Sequence, residues 1–266
     1  MKKGVLKVLA VCLASAFLAA CGGGNYQVPR DEFKRQVRTL AVLPILVDEQ
    51  SNIRHPDAQR VVDLLRRHSE GREARLAELL RDAGSFFDVR EITQKPRDLV
   101  GRLLVRAPGE GGEDVLPYDF SGPAARKLTE EYVVDALLVL VLHGGDVTEK
   151  RWDRTRLNYL EAPYNSILAA ALVIDRSGTV LWRLDEGQGR TFFTLQYPDF
   201  DEARYNKTQN VALKFLTVDG VERTLKESEG GLIGREDYPK LYAELFDRIR
   251  KALKPGLMNP FARDSK

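Results

Sequence analysis

The chain has 266 residues, with 41 Lys and Arg against 39 Asp and Glu. Three of those basic residues, Lys2, Lys3 and Lys7, fall within the first 20 positions, which hold no acid. The remainder is close to neutral, which excludes the basic footprint of a nucleic-acid binder and a broad polybasic membrane patch.

Residues 1–20 read as an export signal. The three lysines form a basic leader and residues 8–17 form a short apolar core. That core is too short to cross a bilayer, which takes about 20 residues. Leu18-Ala19-Ala20-Cys21 follows and resembles the lipobox of bacterial lipoproteins. The resemblance implies cleavage before Cys21, a diacylglyceryl group on its thiol and a further acyl chain such as palmitate on its freed amine. Two or more acyl chains give stable membrane attachment where one does not. Gly22 in the sorting position is permissive, by the same resemblance, for an outer-membrane lipoprotein facing the periplasm. Cys12 leaves with the signal and Cys21 is acylated, so the folded body has no disulfide, thiolate metal site or cysteine nucleophile.

Residues 21–36 read as a flexible tether, glycine-rich at its start and carrying Pro29. Residues 38–47 are almost all apolar and predict a strand buried on both faces, with Pro44 near its end. Residues 57–83 show helical periodicity through Val61, Leu64, Leu65, Leu76, Leu79 and Leu80, with a polar middle at Gly71 that allows two helices. A short strand follows from Phe86. Residues 109–112 carry three glycines and predict a loop. Ser121 is placed to cap a helix running to Tyr132, and residues 133–142 predict the central strand. Residues 167–174, the Asp175-Arg176-Ser177-Gly178 turn and residues 179–184 predict a strand pair. Residues 186–235 are polar with aromatic interruptions and look inserted; within them, residues 213–225 around Asp219-Gly220 predict a small hairpin. Residues 237–253 carry an apolar helical stripe, and 255–266 form a tail. The expected fold is α/β: a mixed central sheet flanked by helices, with one domain over 37–254 that includes the 186–235 insertion.

Three stretches carry a family resemblance. They are Arg38-Thr39-Leu40-Ala41-Val42-Leu43-Pro44, the segment from Tyr132 through Asp135 to Val139, and the segment from Leu172 through Asp175 and Gly178 to Trp182. They resemble the α/β domain shared by the TolB N-terminal domain and the curli-secretion-channel lipoprotein. The resemblance implies a fold, not a catalytic site. The curli channel builds a membrane barrel from long alternating strands, and no pair of those stands out in this sequence.

Catalytic signals are sparse. His143-Gly144-Gly145-Asp146 lies where the central strand is expected to end, a common place for active-site residues. It reads better as a strand-terminating turn, since no nucleophile motif accompanies it. His55, His68 and His143 lack metal-ligand spacing, so neither metal nor cofactor is expected. Asp146, Asp153, Glu161, Asp199 and Asp201 are scattered carboxylates. Aromatic residues are dense between 159 and 205, and Phe192, Phe193, Tyr197 and Phe200 fall in polar, loop-like sequence typical of recognition surfaces. The expected role is a lipid-anchored envelope lipoprotein that binds or assembles with an envelope protein or polymer, without catalysis and without nucleic acid. The alternative is an anchored hydrolase of cell-wall or surface glycans.

Overall fold

A computed structural model describes residues 25–106, 118–185, 188–200, 211–228 and 238–254. The signal, Cys21, the 109–112 loop, Asp201 and the 255–266 tail lie outside the described residues.

The strand expected over 38–47 is two short strands, β1 (Thr39–Val42) and β2 (Leu46–Val47). Pro44 lacks the N–H that a continuous ladder needs, and the chain breaks around it. The break is small: the Leu43 amide still donates to the Leu138 carbonyl and the Asp48 amide to that of Leu142. The long helical stretch divides at Gly71 (φ +73°) into α2 (Ala58–Ser69) and α3 (Glu73–Asp82). Next come β3 (Asp88–Glu91), α4 (Pro96–Leu103) and an antiparallel pair of β4 (Leu104–Arg106) with β5 (Tyr118–Phe120). Helix α5 (Gly122–Tyr132) ends on Val133, whose φ of +51° is unusual for a β-branched residue. Ser121 occupies its N-cap position but makes no side-chain cap bond.

Strands β6 (Ala136–Trp152) and β7 (Tyr159–Asp175) are 17 residues each and pair in unbroken antiparallel register from Ala136↔Asp175 to Trp152↔Tyr159. This corrects two expectations. The strand does not stop at His143, and the chain does contain a pair of long strands. Their outer halves escaped notice because Thr148-Glu149-Lys150-Arg151 and Glu161 carry no apolar alternation. The sheet runs β3-β1-β6-β7-β8, with β8 (Val180–Arg183) at one edge; β2 also pairs with β6, and β9 (Arg190–Thr194) with β7. Strands β1, β2, β3 and β6 are mutually parallel, while the β7 pairings are antiparallel, so the sheet is mixed.

Alternate residues of β6 feed two cores. Leu138, Leu140 and Leu142 pack with Val61 and Leu65 of α2, Leu76 and Leu80 of α3, and the C-terminal helix α7 (Lys240–Leu253) through Tyr242, Phe246 and Ile249. Leu137, Val139 and Val141 pack with Leu99 and Leu103 of α4 and Ala125 and Leu128 of α5. The molecule is therefore layered helix–sheet–helix, which is why the inner half of β6 is apolar at every position. Asp135 ties this strand to β1. Its Oδ2 accepts from the amides of Arg38 (3.0 Å) and Thr39 (2.8 Å) and from the Thr39 hydroxyl (2.9 Å).

Two further expectations are corrected. Residues 25–36 are not a free tether. Tyr26 forms an antiparallel bridge with Trp182, and the first helix, α1 (Arg30–Gln36), buries Phe33 in the core. Pro29 sits at its N-cap, where a missing N–H costs nothing. Residues 213–225 are not a hairpin. Strand β11 (Ala212–Phe215) pairs with β10 (Gln196–Asp199), and α6 (Val218–Lys226) follows, its Thr217 hydroxyl accepting from the Gly220 amide at 3.1 Å. Val218, Val221 and Leu225 recur at helical spacing, and that pattern outweighs the Asp-Gly turn signal. Within the 186–235 stretch, the described residues join the domain: β9 pairs with the main sheet and Val221 and Leu225 of α6 enter its core.

Candidate functional site

Two regions collect polar or exposed groups that packing alone does not demand. One is the root of the β6–β7 hairpin and the other is its outer half.

At the root, the 48–55 loop crosses β6 at Gly144. A Cβ there would lie 2.5 Å from the Asn52 backbone, so glycine permits the crossing. The Gly144 amide donates to the Ser51 hydroxyl at 2.8 Å. Asn165, fully buried on β7, donates to the Asn52 carbonyl (2.9 Å) and accepts from the Arg54 amide (3.0 Å). Its amide group also reaches Asp146 at 3.1 Å, and Asp146 pairs with the Arg54 guanidinium. Asp146 is thus a structural clamp.

His143 is buried at 1% exposure. Its Nε2–H donates to the Gln188 carbonyl at 2.8 Å, and its ring stands edge-on to Tyr118 with centroids 5.5 Å apart. The Tyr118 hydroxyl donates to the Asp48 carboxylate at 2.8 Å. Sequence reasoning did not single out Asp48 or Tyr118, since neither belongs to a recognisable motif. The cluster has the residue types of an acid–base site, but all three side chains are buried and engaged with neighbours. This arrangement fixes the loop against the strand.

The remaining carboxylates do not converge. Asp153 caps the hairpin turn, Glu161 lies on the outer ribbon, and Asp199 pairs with Lys214 at 2.5 Å on the β10–β11 ribbon. Among the described residues no group of three or more His, Cys, Asp or Glu is arranged to hold a metal. His55 donates from Nε2 to the Leu216 carbonyl (2.7 Å) and accepts from the Asp57 amide (2.9 Å), beside an open cleft of about 400 Å³. His68, on α2, faces Glu222 of α6 at 3.9 Å; burial leads the causes that hold its pKa below the usual value.

The predicted aromatic surface divides. Phe192 and Phe193 are core residues, each 7% exposed, which corrects their assignment to a partner surface. The β7–β9 register shifts beside them, leaving Phe192 out of the pairing, so both consecutive rings turn inward. Phe192 meets the Tyr242 ring edge-on at 5.1 Å. Tyr197 remains exposed and Phe200 is half-buried.

The outer half of the hairpin extends beyond the sheet's other strands and is largely exposed. From Val147↔Tyr164 outward, β6 and β7 register only with each other among the named strands. One face is braced: Arg151 bonds Glu149 and the Thr194 hydroxyl (2.8 and 2.7 Å), with its guanidinium 4.8 Å from the Tyr164 ring centroid. The other face carries Trp152 and Tyr159, 50% and 39% exposed, with ring centroids 5.0 Å apart. The Lys150 ammonium lies 3.5 Å from the Tyr159 centroid. The turn is rigid. Asp153 accepts from the Leu157 amide and from the side chains of Thr155 and Asn158. Desolvation is the largest single effect and opposes ionisation, but the bonds from Asn158, Thr155 and Leu157 together hold the Asp153 carboxyl below its ordinary value. Leu157 projects from this turn at 81% exposure.

The site and fold together define a layered α/β domain bearing a long projecting hairpin. No family model matches the chain. No curated protein matches it either. Among solved structures it is similar to the lipoprotein GNA1162 from Neisseria meningitidis at 15% identity, covering 80% of this chain and 96% of that one, with a TM-score of 0.29. It is also similar to the PelC L103M dodecamer from Paraburkholderia phytofirmans at 16% identity, covering 56% and 68%, with a TM-score of 0.24. Likeness at this level carries no argument about function. Among the described residues no helix is long and apolar enough to cross a membrane.

Proposed function

We propose that this chain is a lipid-anchored envelope lipoprotein, held through Cys21 and facing the periplasm from the outer membrane, that acts without catalysis as a binding or assembly factor. One observation carries the binding role. Among the named strands, the outer β6–β7 ribbon registers only with itself, and it exposes an aromatic apex that no core requirement explains. Unpaired strand edges and clustered exposed apolar side chains mark places where another surface docks. Tyr197 on β10 is a second exposed aromatic available to a partner. The lipobox supports the anchor, and the engaged state of His143, Tyr118 and Asp48 supports a structural role for that cluster.

The test is a pull-down of the native protein from cross-linked envelopes, beside a ribbon-trimmed chain in which Lys150 and Glu161, partners in register, are joined by an Asn-Gly turn. The expected result is a discrete partner with the native chain, lost on trimming while the fold is kept. In parallel, Cys21→Ser should leave the membrane fraction or stall as uncleaved precursor. Glycan cleavage by the purified protein, abolished by His143→Ala, would replace this reading with the hydrolase.

A further inference from the structure

The hairpin apex combines two chemistries. Trp152, Leu157 and Tyr159 are exposed, and Lys150, Arg154 and Arg156 are exposed around them. Neither Arg154 nor Arg156 forms an ion pair among the described residues. Asp153, the acid within the turn, is committed to the turn's own hydrogen bonds. Aromatic rings beside cations are the composition favoured at the headgroup level of a bilayer, where rings sit at the apolar boundary and cations meet lipid phosphates.

The course of the chain points the same way. The Asn25 carbonyl accepts from the Arg183 amide at 2.8 Å, and Gln27 donates to the Leu181 carbonyl at 2.9 Å. Strand β7 runs from apex to base, β8 returns toward the apex, and residues 25–27 run antiparallel to β8. From Gln27 back to Asn25 the backbone therefore runs toward the apex end. Cys21 is four residues away, a reach of at most about 14 Å. Arg183 pairs with Leu172, and the ribbon from Leu172 to Tyr159 is roughly 43 Å long.

We propose that the apex of the β6–β7 hairpin docks on the anionic phospholipid leaflet that holds the Cys21 anchor. This rests on the lipid-anchor reading above. A short tether and a long ribbon touch one bilayer only if the ribbon lies at a shallow angle to it. That posture sets the apex, with Trp152, Leu157 and Tyr159, against the lipid and gives the body one fixed orientation. The docking surface at the apex is thus Trp152, Leu157 and Tyr159 with Arg154 and Arg156, while Glu161 sits opposite Lys150 further along the ribbon and offsets its charge; the acyl anchor supplies the attachment.

Tryptophan emission tests this. The chain has two tryptophans, and Trp182 is fully buried. The full-length lipidated protein is placed in phosphatidylethanolamine–phosphatidylglycerol vesicles, with or without bromine on the acyl chains. Bromine should quench the Trp152 emission at least twofold. Trp152→Phe, an exposed and conservative change, should abolish the bromine-sensitive part and keep the melting temperature. Arg154→Glu with Arg156→Glu should weaken the quenching, as should neutral phosphatidylcholine vesicles. If the protein floats with the vesicles but bromine leaves its emission unchanged, the anchor stands and the apex proposal is overturned. A blue shift of Trp152 insensitive to bromine also overturns it, in favour of a protein partner or a second copy. If the protein does not float at all, the anchor reading fails and the proposal fails with it.

Discussion

Gly144 shows how one residue sets the ribbon's root. Its missing side chain lets the Asn52 backbone and Ile53 lie across β6, and a Cβ would meet them at 2.5 and 2.6 Å. The nearest obstacle is backbone, so it cannot swing aside. Gly144→Val should lift the loop and strain the Asn165 and Ser51 bonds beneath it. Overpacking of this kind costs about 1–3 kcal/mol, so thermal denaturation should show a drop of several degrees. A variant melting with the wild type would mean the loop is not clamped. Tyr242 supplies a second residue-scale test. Burial is the leading cause that pushes its hydroxyl up to about 12 from the ordinary value of 10, while the Ser69 hydrogen bond pulls the other way. The unfolded chain ionises this tyrosine near 10 and the folded chain holds its proton to about 12. Its contribution is therefore complete below pH 10 and is lost as pH rises through that interval. Urea unfolding at pH 9 and pH 11 should show a steeper loss for the wild type than for Tyr242→Phe.

The elements separate packing from display. Phe192→Ala and Phe193→Ala should each cost about 3–5 kcal/mol in chemical denaturation, because both rings fill the core beside α7. Tyr197→Ala, half-exposed on β10, should cost less than about 1 kcal/mol. Similar losses at all three positions would return the aromatic segment to a single role. The helices and the inner β6–β7 pair were legible because burial writes periodicity into sequence: Leu241, Leu245 and Ile249 mark α7, and residues 136–142 mark a strand buried on both faces. The outer ribbon was not legible. Its pairing comes from register inherited from the inner half, and Thr148-Glu149-Lys150-Arg151 carries no burial signal. The Asp219-Gly220 turn misled because Thr217 caps a helix three residues earlier than a hairpin would turn. Helix α1 was hidden by Pro29, which begins that helix instead of forbidding it. Among the candidate site residues, only tertiary contact distinguishes Phe193 in the core from Tyr197 at the surface.

At the scale of the whole molecule, β6 belongs to both cores, so damage to it is not local. Leu138→Asp would place an unpaired carboxylate at a fully buried position. Its cost of several kcal/mol is comparable with the whole stability of a typical domain, and the variant should fail to fold or melt far below the wild type. The same strand continues outward as the ribbon, so the packed body is the base of the projecting hairpin. Site-specific photocrosslinking in intact envelopes measures that arrangement most directly. A photoreactive residue replaces Thr148 on the ribbon, Tyr197 on β10, or Phe87, an 83% exposed aromatic beside the opposite sheet edge. The account predicts a discrete envelope adduct from the Thr148 position and none from Phe87. An adduct from Phe87 alone, with the ribbon silent, would contradict it.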